Sequence, residues 1–283
     1  MPSLTPEECL ALQKTALNIR KKVLRQIKAG KSGHVGGALS IVEILTTLYF
    51  KFMRVDPNRP DWEQRDRFVL SAGHKCLALY ATLCEKGFFD PAILDTYGSI
   101  KSRLPGHPDL HKIPGVEANT GALGHGLSIA DGMALGLRMS NIDANVYVVM
   151  GDGELAEGSN WEAAAAASHH QLDNLVVFVD RNHLQISGPT VEVMSYEPLD
   201  KRWEAFGWSA RVVDGHNIDL IADLLSAVPF EKGKPSVIIA DTIKAKGLSF
   251  AENKLSYHYW RATPEEIAQA EADLAAIERS LGA

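Results

Sequence analysis

Two polar segments of this sequence carry residue types that bind metal ions and phosphates. Asp152 stands between two glycines directly after the hydrophobic residues 145–150, and Asn182 follows a second hydrophobic run at residues 175–179. The alanine-rich stretch between these runs predicts a helix, so the three pieces form a strand–helix–strand unit. Both side chains should then meet at the carboxyl edge of a parallel sheet, where ligands bind. A carboxylate, an amide oxygen and glycine backbone at this edge would suit a hard cation that holds a diphosphate.

Histidines beside glycine form a second group of candidate functional residues: His34, His74, His107 and His125. Glycine lets the backbone approach a ligand closely, and the neighbouring imidazole can donate to phosphate or hydroxyl oxygens. His74 also follows a short strand and opens a helix, which is where an anion binds. One such histidine is typical of an ordinary turn, but the repeated context favours a site. The remaining candidates lack that context and are expected at the surface or in loops: His111, His169, His170 and His216.

Capping signals predict helices near both ends of the chain. Thr5 and Thr263 are each followed by proline and, three positions on, by glutamate, which is the capping-box pattern. The first helix should end near Gly30, and the last should cover about 263–281.

Two internal serines show the same spacing to a glutamate. Ser40 with Glu43 predicts a helix that continues through Phe52, and Ser159 with Glu162 predicts the start of the helix between the two polar segments. A capping role would by itself explain the presence of Glu162.

Strand and helix signals alternate along the rest of the chain. Further strands are predicted at residues 67–70, 210–213 and 236–240, and further helices at 75–86, 123–139 and 218–227. This alternation indicates an α/β fold, with helices on both faces of a parallel sheet, in one domain over residues 1–283. Residues 98–120, rich in Gly, Pro and His, predict a long ordered loop of the kind that is usually functional.

Composition excludes several classes of protein. The net charge is −6, and no basic cluster indicates a nucleic-acid partner. No stretch approaches the ~20 apolar residues that span a membrane, and the first residues lack the basic start and apolar core of a signal peptide. The three cysteines form no CxxC pair, which favours reduced thiols and a cytoplasmic location.

Five segments, in order, resemble the N-terminal, diphosphate-binding part of transketolases. They are residues 32–37, 66–74, 105–108, 115–124, and the pair 151–153 with 180–183. The 30 positions between Asp152 and Asn182 fit the thiamine diphosphate motif of that family, and the similarity extends from about residue 10 to 260. It implies a thiamine diphosphate-binding fold and an enzyme that moves a two-carbon ketol unit from a ketose to an aldose.

The resemblance also implies which residues bind the cofactor. Asp152, Asn182 and the backbone carbonyl of Leu184 would hold Mg²⁺ or Ca²⁺ on the diphosphate. With Asn182, the residues that would contact thiamine diphosphate are His74, Gly121, Leu123, Gly151, Gly153, Glu154, Ile186 and His258.

Six residues are candidates for catalysis on the same ground. The resemblance implies that four histidines face the hydroxyls of the substrate and assist proton transfers: His34, His74, His107 and His258. Glu157 and Glu162 resemble acidic residues of the family at the subunit interface, near the carboxylate that activates the cofactor. Unlike Glu162, Glu157 has no competing role in a helix cap.

Three positions depart from the family pattern. Val35 stands where proline is common, and His125 stands where glutamine is frequent. The run Tyr-His-Tyr-Trp at residues 257–260 replaces the usual His-Gly. We expect its bulky aromatic side chains to reshape the substrate funnel and to allow an unusual sugar.

A full transketolase is much longer than this chain, which implies a partner. The missing part normally supplies the glutamate that protonates the cofactor and the residues that grip the substrate phosphate. We therefore expect a separate C-terminal subunit carrying the pyrimidine-binding domain, an α2β2 heterotetramer, and sugar or sugar-phosphate substrates.

Three alternatives remain open at this point. Another thiamine diphosphate enzyme, such as a 2-oxoacid dehydrogenase α subunit or a deoxyxylulose-phosphate synthase, would share the Asp–Asn pair but not the histidines. The pattern Gly151-x-Gly153-x-x-Ala156 formally fits a nicotinamide dinucleotide binder, although Asp152 would repel a bare pyrophosphate. A non-catalytic scaffolding subunit would be expected to have lost Asp152, Asn182 or the histidines.

Overall fold

A five-stranded parallel sheet lies at the centre of the computed structural model, which describes residues 3–282. In chain order the strands are β1 (Ser32–Gly33), β2 (Arg67–Leu70), β3 (Val146–Gly151), β4 (Leu175–Arg181), β5 (Ser209–Asp214), β6 (Ser236–Asp241) and β7 (Trp260–Arg261). The central sheet has the order β2-β3-β4-β6-β5, and β1 pairs with β7 in a separate antiparallel ribbon.

Helices surround this sheet and account for most of the remaining regular structure. They are α1 (Pro6–Gly30), α2 (Val35–Ser40), α3 (Val42–Thr47), α4 (Cys76–Lys86), α5 (Gly126–Met139), α6 (Gly158–His169), α7 (Thr190–Val193), α8 (Leu199–Ala205), α9 (Ile218–Ser226) and α10 (Pro264–Ser280). Shorter helical turns cover Leu48–Phe52, Gly73–Lys75, Pro91–Thr96, Gly153–Ala156 and Leu255–Tyr257.

The two faces of the sheet bury separate hydrophobic clusters. Along β3, Val146, Val148 and Met150 pack with residues of α5, α6 and α8. The alternate residues Tyr147 and Val149 pack with residues of α1, α3, α4 and α9 on the opposite face. Because successive side chains of a strand point to opposite faces, one strand contributes to both cores. This arrangement confirms the predicted α/β fold with helices on both faces.

Both predicted capping boxes are present. The Thr5 hydroxyl accepts from the Glu8 amide at 3.2 Å, and the Glu8 carboxylate accepts from the Thr5 amide at 2.8 Å. Thr263 and Glu266 repeat the arrangement at 3.2 and 3.1 Å. These signals lie within one turn of chain, which is why the sequence predicts both helix starts correctly.

The helices expected after the two internal serines are present, as α3 with the helical turn through Phe52 and as α6, but neither serine caps them. Ser40 is the last residue of α2, and its hydroxyl donates to Asp180 at 2.6 Å. Ser159 lies inside α6, which begins at Gly158, and its hydroxyl donates to the Gly124 carbonyl at 2.8 Å. In both cases the hydroxyl is oriented by a partner distant in sequence, and no amide of the helix start donates to it.

His216, expected at the surface or in a loop, lies in the turn after β5, but its side chain is largely buried, as is that of Glu43. The His216 Nδ1 atom lies 2.9 Å from the Glu43 carboxylate, which also receives two bonds from Arg20, at 2.7 and 3.0 Å. Burial opposes ionisation of Glu43, but Arg20 and His216 outweigh it and lower its pKa to about 2. His216 is therefore part of a buried polar network and not a surface residue.

The long irregular loop at 98–120 is present as predicted, and several of its side chains, such as Leu104 and Ile113, pack into the core. Among residues 3–282, no helix combines the length and apolar character needed to cross a bilayer.

Candidate active site

Asp152 lies at the carboxyl edge of the sheet, directly after β3. Its two carboxylate oxygens accept from the backbone amides of Gly153 and His183, at 2.8 and 2.7 Å. The residue is 8% exposed, and burial, together with the nearby charge of Asp180, raises the pKa of Asp152 to about 6. Each oxygen keeps a further lone pair, so the carboxylate can still bind a cation.

Asn182 is held in one orientation by a buried neighbour. Its amide nitrogen donates to Asp180 at 3.1 Å, so its amide oxygen points towards the other side, 3.2 Å from the Leu184 amide. The register of β3 and β4, with Gly151 opposite Asp180, brings the Asp152 and Asn182 segments side by side. The sequence-based placement of this pair at one sheet edge is therefore correct in geometry.

Asp180 is the centre of a buried polar cluster beneath this edge. It pairs with Lys75 and also accepts from the hydroxyls of Ser40 and Thr242 and from the Asn182 amide. Burial opposes its charge, but the Lys75 ammonium outweighs that effect and lowers the pKa of Asp180. Loss of either charged partner would leave the other uncompensated in the interior, so the ion pair and its neutral donors hold one geometry.

Lys244 places a second ammonium group in the same region. It follows β6, is 2% exposed, and lies 3.2 Å from both the Leu184 carbonyl and the Nδ1 atom of His258. No carboxylate within the described residues 3–282 forms a salt bridge with it. Burial and the charge of Lys75 lower the pKa of Lys244 to about 8. A buried cation without a counter-ion suits an anionic ligand.

A cavity of about 410 Å³ opens at this edge. Its walls contain every residue predicted to bind the cofactor or metal: His74, Gly121, Leu123, Gly151, Asp152, Gly153, Glu154, Asn182, Leu184, Ile186 and His258. Sequence reasoning missed five other wall residues: Gly37, Lys75, Gln185, Ser187 and Lys244. Lys75 directly follows Gly73-His74, and Lys244 follows the carboxyl end of a predicted strand, so both positions carried a usable signal.

Glu154 is in the wall of the cavity, but its carboxylate is used inside the protein. It accepts from the amides of Gly124 and Gly151, at 3.0 and 3.1 Å, and from the Ser71 hydroxyl. Glu154 thus braces the glycine-rich backbone around Asp152.

Four histidine rings meet at the other side of the cavity. The His34 ring centroid is 5.5 Å from that of His74, 5.9 Å from that of His107 and 5.4 Å from that of His258. Burial is the main cause of the lowered pKa values of two of these rings, which fall to about 2 for His74 and about 4 for His258. The pKa of His34 is lowered as well, by burial and by the charge of His107. His34, His74 and His258 are therefore neutral at pH 7, and each can donate one hydrogen bond and accept another.

Not all of the candidate residues reach this cavity. His125 is exposed at the start of α5 and does not line it, so only three of the four glycine-flanked histidines come together. Glu157 and Glu162 are exposed at the beginning of α6, outside the cavity.

The aromatic run at 257–260 divides into two parts. Tyr257 and Trp260 both donate to Glu266 of α10, at 2.7 and 2.8 Å, and so face the protein. Tyr259 packs edge-on against His34, with ring centroids 4.8 Å apart, and its hydroxyl lies 3.0 Å from that of Ser32. Of the bulky aromatic side chains expected to reshape the substrate funnel, only Tyr259 therefore contacts a histidine of the cavity.

An α/β sheet with oxygen donors, buried ammonium groups and glycine backbone at its carboxyl edge defines a diphosphate-binding domain. Comparison with known proteins identifies its family. Residues 12–277 match the family model described as transketolase, thiamine diphosphate binding domain. The chain belongs to this family, and the prediction made from the five sequence segments is confirmed.

Relatives of similar length are parts of transketolases. The chain is 45% identical over 268 residues to the 6-deoxy-6-sulfo-D-fructose transketolase subunit SqwG of Clostridium sp. (strain MSTE9), covering 95% of this chain and 98% of that protein. It is 46% identical over 251 residues to one of the subunits of the apulose-4-phosphate transketolase of Phocaeicola vulgatus, covering 89% of each. These relatives confirm the predicted type, an N-terminal subunit of a split transketolase.

Undivided transketolases match over less than half of their length. Human transketolase is 40% identical over 260 residues, which are 92% of this chain and 41% of that protein. The crystal structure of the Campylobacter jejuni enzyme superposes with a TM-score of 0.87 at 32% identity, covering 93% of this chain and 42% of that one. The family match overturns the nicotinamide dinucleotide alternative.

Proposed function

We propose that this chain, together with a separate C-terminal subunit, forms a transketolase that transfers a two-carbon ketol unit between sugars or sugar phosphates. The observation that carries the proposal is a single cavity with cation-binding oxygens on one side and four histidines on the other. The names of the relatives support a two-chain enzyme, for which we propose an α2β2 assembly.

The donor set of the cavity fits a divalent cation on a diphosphate. Asp152, Asn182 and the Leu184 carbonyl would hold Mg²⁺ or Ca²⁺, since all three offer the oxygen ligands that these ions prefer. Among the described residues, no three His, Cys, Asp or Glu side chains form a complete metal site. The cation would therefore share oxygens of the diphosphate, and Lys244 would neutralise part of the remaining charge.

The wall near Gly153 fits the same ligand. A Cβ atom at Gly153 would lie 2.8 Å from the Gln185 side chain, so any other residue would have to displace that side chain. The amide nitrogen of Gln185 is buried beside it without a hydrogen-bond partner in the described structure. Such a donor suits an anionic ligand. When bound, thiamine diphosphate supplies the carbon nucleophile that ketol transfer requires.

The histidines would handle the substrate. As neutral imidazoles, His34, His74 and His258 can each hold a sugar hydroxyl and pass its proton to a neighbouring acceptor. His107, exposed above Gly121, would contact the hydroxyl groups nearest to the solvent.

Glu157 and Glu162 would contact the partner subunit. Both are exposed near the start of α6, close to the cavity in the chain but outside its wall. A carboxylate there can meet the partner's cofactor-activating group, which the family resemblance places at the interface.

Co-purification followed by an activity assay tests the function. The tagged chain should capture one C-terminal transketolase subunit, and the pair should transfer ketol groups only with thiamine diphosphate and Mg²⁺. A panel of xylulose 5-phosphate, 6-deoxy-6-sulfofructose and apulose 4-phosphate would identify the donor. Pyruvate decarboxylation without ketol transfer would instead favour the 2-oxoacid dehydrogenase alternative.

A further inference from the structure

The buried network of Arg20, Glu43 and His216 makes two contacts with the segment that carries Lys244. The Nε2 atom of His216 accepts from the backbone amide of Ile243 at 2.8 Å. The Nε atom of Arg20 donates to the carbonyl of Lys246 at 3.2 Å. Residues 243–246, which we call the lysine segment, are thus bound on both sides of Lys244.

The hydrogen bonds of His216 define which of its two ring nitrogens carries the proton. Its Nε2 atom accepts from an amide, so the ring proton must be on Nδ1, from which it donates to Glu43 at 2.9 Å. Two bonds of opposite direction fix both the tautomer and the plane of the ring. Glu43 is in turn fixed by two bonds from Arg20.

The lysine segment has an irregular backbone that needs external support. Ala245 has a φ of 61°, a left-handed backbone conformation that residues other than glycine rarely adopt. The Ala245 amide donates to the Gly36 carbonyl at 2.8 Å. Just before the segment, the Thr242 hydroxyl bonds to Asp180. These contacts direct Lys244 into the cavity, where it meets the Leu184 carbonyl and His258.

We propose that His216 is a positioning residue of the active site: through the Ile243 amide it sets the backbone that places Lys244 beside the diphosphate position. This inference rests on the proposed function, because Lys244 has a ligand to neutralise only if the cavity binds thiamine diphosphate. His216 itself is absent from the cavity wall, so it acts through the lysine segment and not by contact.

Two variants separate the bonds of His216. The side-chain amide of asparagine reaches about as far as Nδ1, so His216→Asn can keep the bond to Glu43 but not that to Ile243. The amide of glutamine reaches about as far as Nε2, so His216→Gln can keep the bond to Ile243 and loses that to Glu43. Both variants disturb the buried network, but only the first releases the lysine segment.

Hydrogen exchange of the full chain tests, without any ligand, whether His216 holds the lysine segment through the Ile243 amide. In His216→Asn the Ile243 amide should exchange about tenfold faster or more, because an amide without its acceptor opens with its local segment. In His216→Gln its exchange should stay within about twofold of the wild-type rate. Equal exchange in wild type and His216→Asn would overturn the inference.

Affinity for thiamine diphosphate with Mg²⁺ tests the coupling. In the full chain with its co-purified partner, His216→Asn should weaken binding about tenfold, the range found when supporting residues of a site are removed. His216→Gln should bind like wild type, although urea unfolding should show that it too has lost stability. Equal weakening in both variants would mean that His216 acts only on the overall fold, and would overturn the inference.

Asn174→Ala is a matched control at the opposite, amino edge of the sheet. It removes two buried bonds, to the carbonyls of Ala134 and Ala144, and should lower stability without changing the affinity. If wild type itself failed to bind thiamine diphosphate, the proposed function would be wrong. The exchange rate at Ile243 would still decide whether His216 clamps the lysine segment.

Discussion

Asn182 donates its amide nitrogen to Asp180, and this bond of 3.1 Å decides which way its amide oxygen faces. An asparagine side chain can rotate by half a turn and exchange its two polar atoms. Of its two amide atoms only the nitrogen can donate to this buried carboxylate, so the oxygen is directed away from Asp180 and lies 3.2 Å from the Leu184 amide. The ligand set of the proposed cation site therefore depends on a residue that does not itself belong to it.

Asp152→Ala should remove Mg²⁺-dependent binding of thiamine diphosphate while the fold survives. The variant loses the only carboxylate proposed as a metal ligand, so we expect at least about 100-fold weaker binding. Isothermal titration with and without a chelator measures the loss, and circular dichroism checks the fold. Asp61→Ala, at an exposed aspartate, is the control. Normal cofactor affinity in Asp152→Ala would refute the metal assignment.

Asp180→Asn should destabilise the chain strongly. The substitution leaves the Lys75 ammonium, which is 2% exposed, without its counter-ion, at a cost of about 3 kcal/mol in the free energy of unfolding. Urea denaturation measures this loss. Adding Lys75→Met should recover part of the stability, because the unpaired charge is then gone. No recovery in the double variant would show that the ion pair is not the source of the effect.

Stability should fall below pH 6.5 because of His74. Its pKa in the folded chain is lowered from the ordinary 6.5 to about 2, mainly by burial, so between these values only the unfolded chain binds the proton. The contribution is fully present above pH 6.5 and decreases by about 1.4 kcal/mol per pH unit below it. His74→Gln should show a correspondingly shallower dependence between about pH 6 and 4.5 in urea denaturation.

The matched control for this pH dependence is His170→Gln. His170 is exposed, so its removal should leave the wild-type slope unchanged. An identical slope in wild type and His74→Gln would contradict the burial of a neutral imidazole at this position.

Tyr259→Ala should impair ketol transfer more than Tyr259→Phe. The ring packs edge-on against His34, and loss of such an aromatic contact costs about 1 kcal/mol, or roughly fivefold in kcat/KM. Tyr259→Phe keeps the ring and loses only the bond to Ser32, so its effect should be within about twofold. Initial rates with several acceptor aldoses would measure both. Equal effects in the two variants would assign the role of Tyr259 to its hydroxyl.

Features set by neighbouring residues can be predicted from the sequence, whereas features set by tertiary contacts cannot. The caps at Thr5 and Thr263 involve partners three residues away, and the sequence predicts both correctly. Ser40 and Ser159 have the same local pattern, but their hydroxyls bond to Asp180 and the Gly124 carbonyl across the fold.

The part of the site that can be predicted from the sequence consists of residues placed directly at the end of a strand. Asp152 and Asn182 each end a hydrophobic run, which places them at one edge without knowledge of other contacts. Lys75 precedes α4 and Lys244 follows β6, so the two become visible as a pair only when the folded chain brings both to the same cavity. The burial of His216 within its turn could not be predicted for the same reason, because its partners belong to α3 and to the segment after β6.

The ribbon of β1 and β7 has a consequence for the order of assembly during synthesis. It pairs Gly33 with Trp260, and thereby brings His34 next to His258 from nearly opposite ends of the chain. All five strands of the central sheet end by Asp241, so the sheet can form before His258 has left the ribosome. The cluster of four histidines is therefore completed only after the strands of the sheet have been made, and a nascent chain with a finished sheet still has an open, unfinished cavity.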